Sequence, residues 1–162
     1  MKENQISGNE HLAKASVSNL SVSTKHSIEL CRNLRYKTTA RAKQILEGVI
    51  VLKKPIPFRR FTQDLGHKPG IGAGRFPQKA ASEFLKLINA VESNAQFKGL
   101  NTSSLKITKI LANKASVPMT GGRHRTSTKR TNLEIEVREA KEKKKMTRKQ
   151  VEPKKQAGEQ KK

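Results

Sequence analysis

The sequence predicts an α+β fold in which three helices pack on a small three-stranded antiparallel sheet with a long extended β-hairpin. Two patterns carry this prediction. Apolar residues recur at helical spacing in three central segments, and before and after those segments they alternate with polar residues as in strands. With 162 residues, of which 33% are hydrophobic, the chain is long enough for one such domain with tails.

The first element is predicted to be a short strand. Ala15, Val17, Leu20 and Val22 alternate with polar residues, apart from one slip of phase at Asn19. A slip of this kind indicates a β-bulge or an early end of the strand.

Two helices are predicted next. The first begins at Ser23 or Thr24 and the second at Thr38 or Thr39, since these side chains suit a helix N-cap, and Pro55 ends the second. Their apolar stripes are Ile28, Cys31 and Leu34 in the first, and Ala42, Ile45, Leu46, Val49 and Ile50 in the second.

The third helix has the clearest pattern. Pro77 suits its first turn, and Gly99 is expected to stop it. Its apolar stripe comprises Ala81, Phe84, Ile88, Val91 and Ala95.

Two further strands are predicted after the helices. Their alternating apolar residues are Leu105, Ile107 and Leu111 in the first, and Leu133, Ile135 and Val137 in the second. The connection between them, residues 113–132, is rich in Thr, Ser, Gly and basic residues, and a connection this long is usually functional or disordered.

These patterns divide the chain into an N-terminal extension (1–12), an α/β domain (13–140) with a hairpin at 113–132, and a basic tail (141–162). The tail has no apolar period, so we expect it to stay disordered without a partner. No signal peptide or membrane span is recognised, because the longest apolar stretch, residues 45–52, is too short and contains Glu47. The single Cys31 indicates a reducing compartment and a buried, inert thiol.

Charge favours nucleic acid as the partner. The formal net charge is +22, residues 93–133 contain no acidic residue, and Asp64 is the only acid in residues 53–82. Segregated basic charge is typical of phosphate-backbone binding. A membrane surface is disfavoured, because the basic stretches are rich in glycine and proline instead of forming an amphipathic helix.

Enzymatic, metal and cofactor chemistry is not expected. The segment GHKPGIGAGRFPQKAA (66–81) resembles a phosphate-binding loop, but no buried strand precedes it and the Gly-Lys-Ser/Thr ending is absent. The four histidines, His11, His26, His67 and His124, are scattered without metal-ligand spacing. The glutamates Glu29, Glu47, Glu83 and Glu92 are predicted to form surface pairs with Lys or Arg.

We therefore interpret the glycine-rich segment as a phosphate-contacting surface, with an ordinary flexible loop as the alternative. Its glycines allow the backbone to approach RNA closely, and Arg59, Arg60, Lys68 and Arg75 can each hydrogen-bond to phosphate. Aromatic residues are few, at 4%, so recognition of shape and phosphates is favoured over stacking of bases along a strand platform.

The run PFRRFTQDLGHKPGIGAGRFPQKAASEFLKLINAVESNAQFKGLN, residues 57–101, resembles the archaeal and eukaryotic form of the universal large-subunit ribosomal protein twenty-two family, number seventeen in eukaryotes. The resemblance extends more loosely from residue 15 to 137. It implies a cytoplasmic protein of the large ribosomal subunit that binds ribosomal RNA, with its hairpin reaching the nascent-peptide exit tunnel. The hairpin sequence SVPMTGGRHRTSTKRT lacks the dense arginine-rich tip usual in the family.

The implied partners are large-subunit ribosomal RNA, neighbouring ribosomal proteins and the nascent polypeptide, without a membrane. A free-standing nucleic-acid-binding regulator outside the ribosome is the alternative. The candidate RNA-binding residues are Arg59, Arg60, His67, Lys68, Gly70, Gly72, Arg75, Lys79, Lys114, Arg123, His124, Arg125, Lys129 and Arg130. The candidate hairpin tip comprises Met119, Thr120, Gly121, Gly122 and Arg123.

Overall fold

The computed structural model describes residues 11–121, 123 and 126–140. The predicted tail and most of the predicted N-terminal extension lie outside these residues. The elements, in chain order, are β1 (Leu12–Leu20), α1 (Thr24–Leu34), α2 (Thr39–Ile50), β2 (Ile56–Pro57), β3 (His67–Lys68), β4 (Gly72–Arg75), α3 (Gln78–Phe97), β5 (Leu105–Lys114) and β6 (Thr131–Glu139). The predicted α+β class with three helices is confirmed.

The main sheet is antiparallel, with strand order β1-β6-β5. Leu133, Ile135 and Val137 of the central strand are buried, as their alternation predicts. The pairing of β1 with β6 shifts register between Val17 and Leu20, where Asn19 adopts a φ of 57°. The bulge predicted from the phase slip is therefore present.

One residue of β5 was predicted on the wrong face. Its pairing with β6 shifts register between Ile107 and Lys109, so that Thr108 is the extra residue. This bulge reverses the alternation, and Ile110 is fully buried whereas Leu111 is only half-buried. The continuous alternation predicted from Leu105 to Leu111 was therefore wrong beyond Ile107.

The helices cover one face of this sheet with their apolar stripes. All five predicted stripe residues of α3 are buried, and α3 packs against both α2 and β1. Gly99, with a φ of 71°, follows the end of α3 as predicted. By contrast, α2 was predicted to end at Pro55, but it ends earlier, at Ile50. In the turn that follows, the backbone N–H groups of Lys53 and Lys54 both donate to the carbonyl of Gly48 at 2.9 Å.

A second, very small sheet with strand order β2-β4-β3 was not predicted. Its β3–β4 turn has Pro69 followed by Gly70 with a φ of 78°, and Ile71 N donates to Lys68 O at 3.2 Å, which is the pattern of a type II turn. At Gly74 a Cβ would lie 2.7 Å from Ile71 Cδ1, the end of an exposed side chain, and 3.2 Å from the backbone oxygen of Ile56, so a larger residue would require both to shift. The glycines thus shape a compact sheet that leads into α3.

The connection between β5 and β6 forms the extended β-hairpin that was predicted. Pairing continues beyond the two strands, with Ala115 N donating to Arg130 O at 3.1 Å and Thr128 N to Pro118 O at 3.0 Å. Nearer the tip, Thr120 N donates to Thr126 O at 2.7 Å. The hairpin therefore continues outward from the main sheet as a two-stranded arm.

Candidate nucleic-acid interface

The segment after β2 is anchored so that two arginine side chains face outward. Phe58 is buried, its backbone N–H donates to Ala73 O at 3.0 Å, and its ring packs edge-on against His26 with centroids 5.5 Å apart. Arg59 and Arg60, which follow directly, are exposed. An apolar anchor next to two free guanidinium groups gives a rigid support for phosphate contacts.

Glu29 of α1 holds the backbone of this segment. Its carboxylate Oε1 accepts from the backbone N–H groups of Arg59 at 3.2 Å and Arg60 at 2.8 Å. The residue is only 1% exposed, and Oε2 has no hydrogen-bond partner in the described part of the chain. The prediction of a surface ion pair for Glu29 was wrong, because the backbone of a distant segment takes the place of a basic side chain.

The other three glutamates lie on outer helix faces. Glu83 pairs with Lys86 at 3.0 Å, and Glu92 pairs with Lys43 of α2. Glu47 is exposed. The predicted surface pairing is therefore confirmed for Glu83 and Glu92.

A basic cleft of about 820 Å³ lies between the start of α1, the segment after β2 and the base of the hairpin. We call this the basic cleft; its basic lining residues are Lys25, His26, Arg60, Arg75, Lys114 and Lys129. Asp64 is the one acidic residue among those that line it. Such a concentration of cations gives a positive potential that attracts phosphate groups.

The cleft joins four of the predicted RNA-binding residues: Arg60, Arg75, Lys114 and Lys129. Arg59 instead lines a smaller groove of about 240 Å³ with Arg32 and Lys37.

The remaining predicted residues lie elsewhere. His67 and Lys68 form β3, with Lys68 Nζ 5.6 Å from the centroid of the Phe76 ring. Lys79 is exposed in the first turn of α3, and Arg130 Nη1 donates to Asn19 O at 3.1 Å.

The glycines and the hairpin tip complete the predicted set. Gly70 and Gly72 both have positive φ, near 78° and 73°, and shape the turn of the small sheet. At the tip, Met119, Thr120, Gly121 and Arg123 are all exposed. Gly122, His124 and Arg125 lie outside the described residues.

Lys25, His26 and Phe61 are among the cleft residues that were missing from the predicted set. Both Lys25 Nζ and the Arg60 guanidinium lie 5.6 Å from the centroid of the Phe61 ring. Burial lowers the pKa of His26, and the positive charges of Arg75 and Lys129 lower it further. The only sequence signal for these residues was the adjacent Lys25-His26 pair at the start of a helix, which is too common to indicate a site.

Within the described ranges, no group of three or more His, Cys, Asp or Glu side chains could hold a metal ion. None of the helices there is long and apolar enough to cross a membrane. Cys31 is buried, and burial raises the pKa of its thiol from 9.0 to about 12. The prediction of a buried thiol is confirmed, and this pKa makes it inert at neutral pH.

Comparison with known proteins decides the family. The ribosomal protein L22p/L17e family matches residues 15–138, which include the whole main sheet except its outermost strand ends. This chain belongs to the L22p/L17e family. The resemblance predicted from residues 57–101 is thereby confirmed.

Archaeal relatives in the L22p/L17e family match most of the chain. Large ribosomal subunit protein uL22 of Methanoculleus marisnigri is 41% identical over 139 residues, covering 80% of this chain and 91% of the relative. The protein of the same name from Thermoplasma acidophilum is 41% identical over 144 residues, covering 85% and 94%. That of Methanococcoides burtonii is 42% identical over 137 residues, covering 80% and 91%.

Proposed function

We propose that the protein is a structural component of the large ribosomal subunit in the cytoplasm, where it binds and stabilises large-subunit ribosomal RNA. The basic cleft is the observation that carries this proposal. Basic side chains from α1, β4 and both hairpin strands converge there, and the exposed Arg59 lines a separate, smaller groove with Arg32 and Lys37. Family membership and the relatives named as large-subunit proteins support the same assignment.

We further propose that the hairpin reaches between RNA segments toward the nascent-peptide exit tunnel, with the nascent polypeptide and neighbouring ribosomal proteins as its other partners. The two-stranded arm supports this role, because it carries basic residues out from the main sheet. Met119 near the tip is 73% exposed, so it has no packing role within the described structure. An exposed apolar residue at the end of an arm suits contact with a passing chain or with a neighbouring molecule.

Sedimentation with ribosomes tests this function. We expect the protein to remain with large subunits through a high-salt wash, because many phosphate contacts and the hairpin hold it. Recovery only in the free protein fraction would contradict the proposal and would favour a nucleic-acid-binding regulator outside the ribosome.

The arginine contribution is tested by replacing Arg59, Arg60 and Arg75 together with Ala. For each phosphate that the variant no longer neutralises, the slope of log affinity against log salt should become shallower by about 0.7 to 0.9. The matched control replaces Arg41, Lys53 and Lys86, three exposed cations with the same total charge. An equal change of slope in both triple variants would show that net charge alone, and not this surface, determines binding.

A further inference from the structure

The basic cleft differs from an ordinary basic surface, because its cations come from separate elements and point into one space. Lys25 comes from α1, Arg75 from β4 and Lys114 from the end of β5. Arg60 and Lys129 lie in the connections after β2 and before β6. None of these five forms an ion pair within the described part of the chain, where the paired cations are His11, Lys14, Lys43, Lys86 and Lys109.

Folding brings these five cations together around one carboxylate, that of Asp64, which forms no ion pair with them within the described part of the chain. Arg75 Nη2 donates to the backbone oxygen of Asp64 at 3.5 Å. Because this acceptor is neutral, the guanidinium charge stays uncompensated. Repulsion among the cations is unfavourable unless an anion enters the cleft. The arrangement therefore favours a ligand with concentrated negative charge.

We propose that the basic cleft is a binding site for a single RNA nucleotide that is unstacked from its neighbours, with its phosphate among the cations and its base against Phe61. This inference rests on the proposed binding of ribosomal RNA and specifies what one site on the protein binds.

Phe61 distinguishes a nucleotide from phosphate alone. Its ring is partly exposed at the cleft wall, and Phe58 and Leu65 also line the cleft. Unstacked RNA bases are commonly bound by stacking on aromatic rings or on arginine planes. The proximity of the Arg60 guanidinium to the Phe61 ring offers both surfaces at one point.

The size and polar groups of the cleft also fit a nucleotide. Its volume of about 820 Å³ exceeds what one phosphate needs. Ser23 and Thr62 add hydroxyl groups to the lining. Ser23 occupies the N-cap position of α1, and its hydroxyl makes no side-chain cap hydrogen bond there, which leaves that capping interaction open to a ligand.

The site is tested by NMR titration of the full chain with three probes: adenosine monophosphate, inorganic phosphate and adenosine. We expect saturable shifts of backbone amides at Lys25, Phe61 and Arg75 with adenosine monophosphate. Its affinity should exceed that of phosphate or adenosine by about fivefold or more, since base stacking adds to the charge interaction. A hexamer of adenylate should shift the same amides.

Two variants have matched controls. Phe61→Leu should reduce the affinity for the nucleotide to nearly that for phosphate and should leave phosphate binding unchanged. Its control is Phe97→Leu, which should change neither affinity, because the Phe97 ring lies outside the cleft and is 95% exposed. Lys25→Gln should weaken the binding of phosphate and nucleotide alike, whereas Lys53→Gln, which removes the same charge elsewhere, should not. Retained dispersion of the NMR spectrum shows that each variant is folded.

Equal affinity for phosphate and nucleotide, or equal effects of Phe61→Leu and Phe97→Leu, would overturn the nucleotide site. Binding of the mononucleotide without the hexamer would overturn the assignment to RNA and indicate a free nucleotide as ligand. Each of these results leaves ribosome association unaffected in the sedimentation assay. Loss of the wild-type protein from large subunits would instead reject the proposed function itself.

Discussion

A single carboxylate determines how Arg59 and Arg60 are presented. Glu29 accepts hydrogen bonds from both backbone N–H groups, so the backbone is fixed and the two side chains remain free. Acidic residues in a strongly basic protein usually offset charge at the surface. Here the acid acts through the backbone, and the positive side chains stay available to a ligand.

Glu29→Ala should lower the free energy of unfolding by about 1 to 3 kcal/mol, because two part-buried backbone donors lose their acceptor. Glu29→Gln keeps a carbonyl oxygen in place and should cost less. Glu47→Ala is the control, because Glu47 is exposed on α2 and its loss should change stability by less than about 0.5 kcal/mol. Urea unfolding measures all three, and equal effects at the two positions would refute the backbone role of Glu29.

The thiol of Cys31 gives a prediction about pH. Because its pKa rises from 9.0 to about 12 on folding, the folded state keeps the thiol proton at a pH where the unfolded chain loses it. The resulting contribution to stability is complete at neutral pH and decreases as pH rises from 9.0 toward 12. Iodoacetamide should therefore label Cys31 slowly in native protein at pH 8.5 and rapidly in urea; equal rates would show that the thiol is accessible.

Sequence patterns locate core positions well but not long-range polar contacts. The positions of Cys31 and Leu34 on a buried face follow from helical spacing. The role of Glu29 does not, because its partners lie 30 and 31 residues further along the chain. Phe61 and Lys25 likewise meet only after folding, so no local pattern indicates that they line one cleft.

Helix α3 contains two phenylalanines in opposite environments. Phe84, in the second turn, is fully buried, whereas Phe97 at the last turn is 95% exposed. Near Phe97, the side chains of Asn94 and Lys98 donate to the backbone carbonyls of Lys14 and Leu12, respectively, each at 2.9 Å. The end of α3 is thus tied to β1 without any contribution from the Phe97 ring.

Phe84→Ala should therefore destabilise the domain by about 3 to 5 kcal/mol, whereas Phe97→Ala should change its stability by less than about 0.5 kcal/mol. Thermal or urea unfolding compares the same substitution at two positions of one helix. A large loss with Phe97→Ala would mean that residues outside the described ranges cover this ring.

The hairpin arm is the element whose removal should leave the rest intact. Replacing residues 119–127 with a two-residue turn keeps β5 and β6 paired through Lys114 and Thr131, and none of the deleted residues that the structure describes is buried. We expect a nearly unchanged unfolding midpoint and continued binding to large subunits. A circular dichroism spectrum that has lost strand signal would show that the arm is needed for the sheet.

Elements with several periods of apolar residues were predictable, and those without were not. Helix α3 and strand β6 each repeat their pattern over their whole length. Strands β2 and β3 have only two residues each, so they have no period to recognise. Ile110 is buried in place of Leu111 because of the bulge in the pairing of β5 with β6. The sequence of β5 alone does not reveal that bulge.

For the molecule as a whole, charge and fold are separable. Residues 141–162 carry ten basic and three acidic residues, hence seven of the formal charges, on a segment without an apolar period. Deleting them should hardly change the melting temperature but should weaken RNA affinity through loss of long-range attraction, most strongly at low salt. A marked drop in melting temperature would show that the tail packs against the domain.

The central position of β6 has a consequence for how the protein is made. Leu12 pairs with Arg138, and Leu105 pairs with Glu139, so both outer strands depend on β6, which is synthesised after every other described strand. Until residue 139 has emerged from the ribosome that makes it, β1 and β5 have no neighbour in the main sheet, and the apolar face beneath α3 stays open. During that interval a highly basic, partly folded chain is exposed to cellular RNA and to other nascent chains. The unpaired edges of β1 and β5 are therefore open to aggregation until β6 becomes available to pair with them.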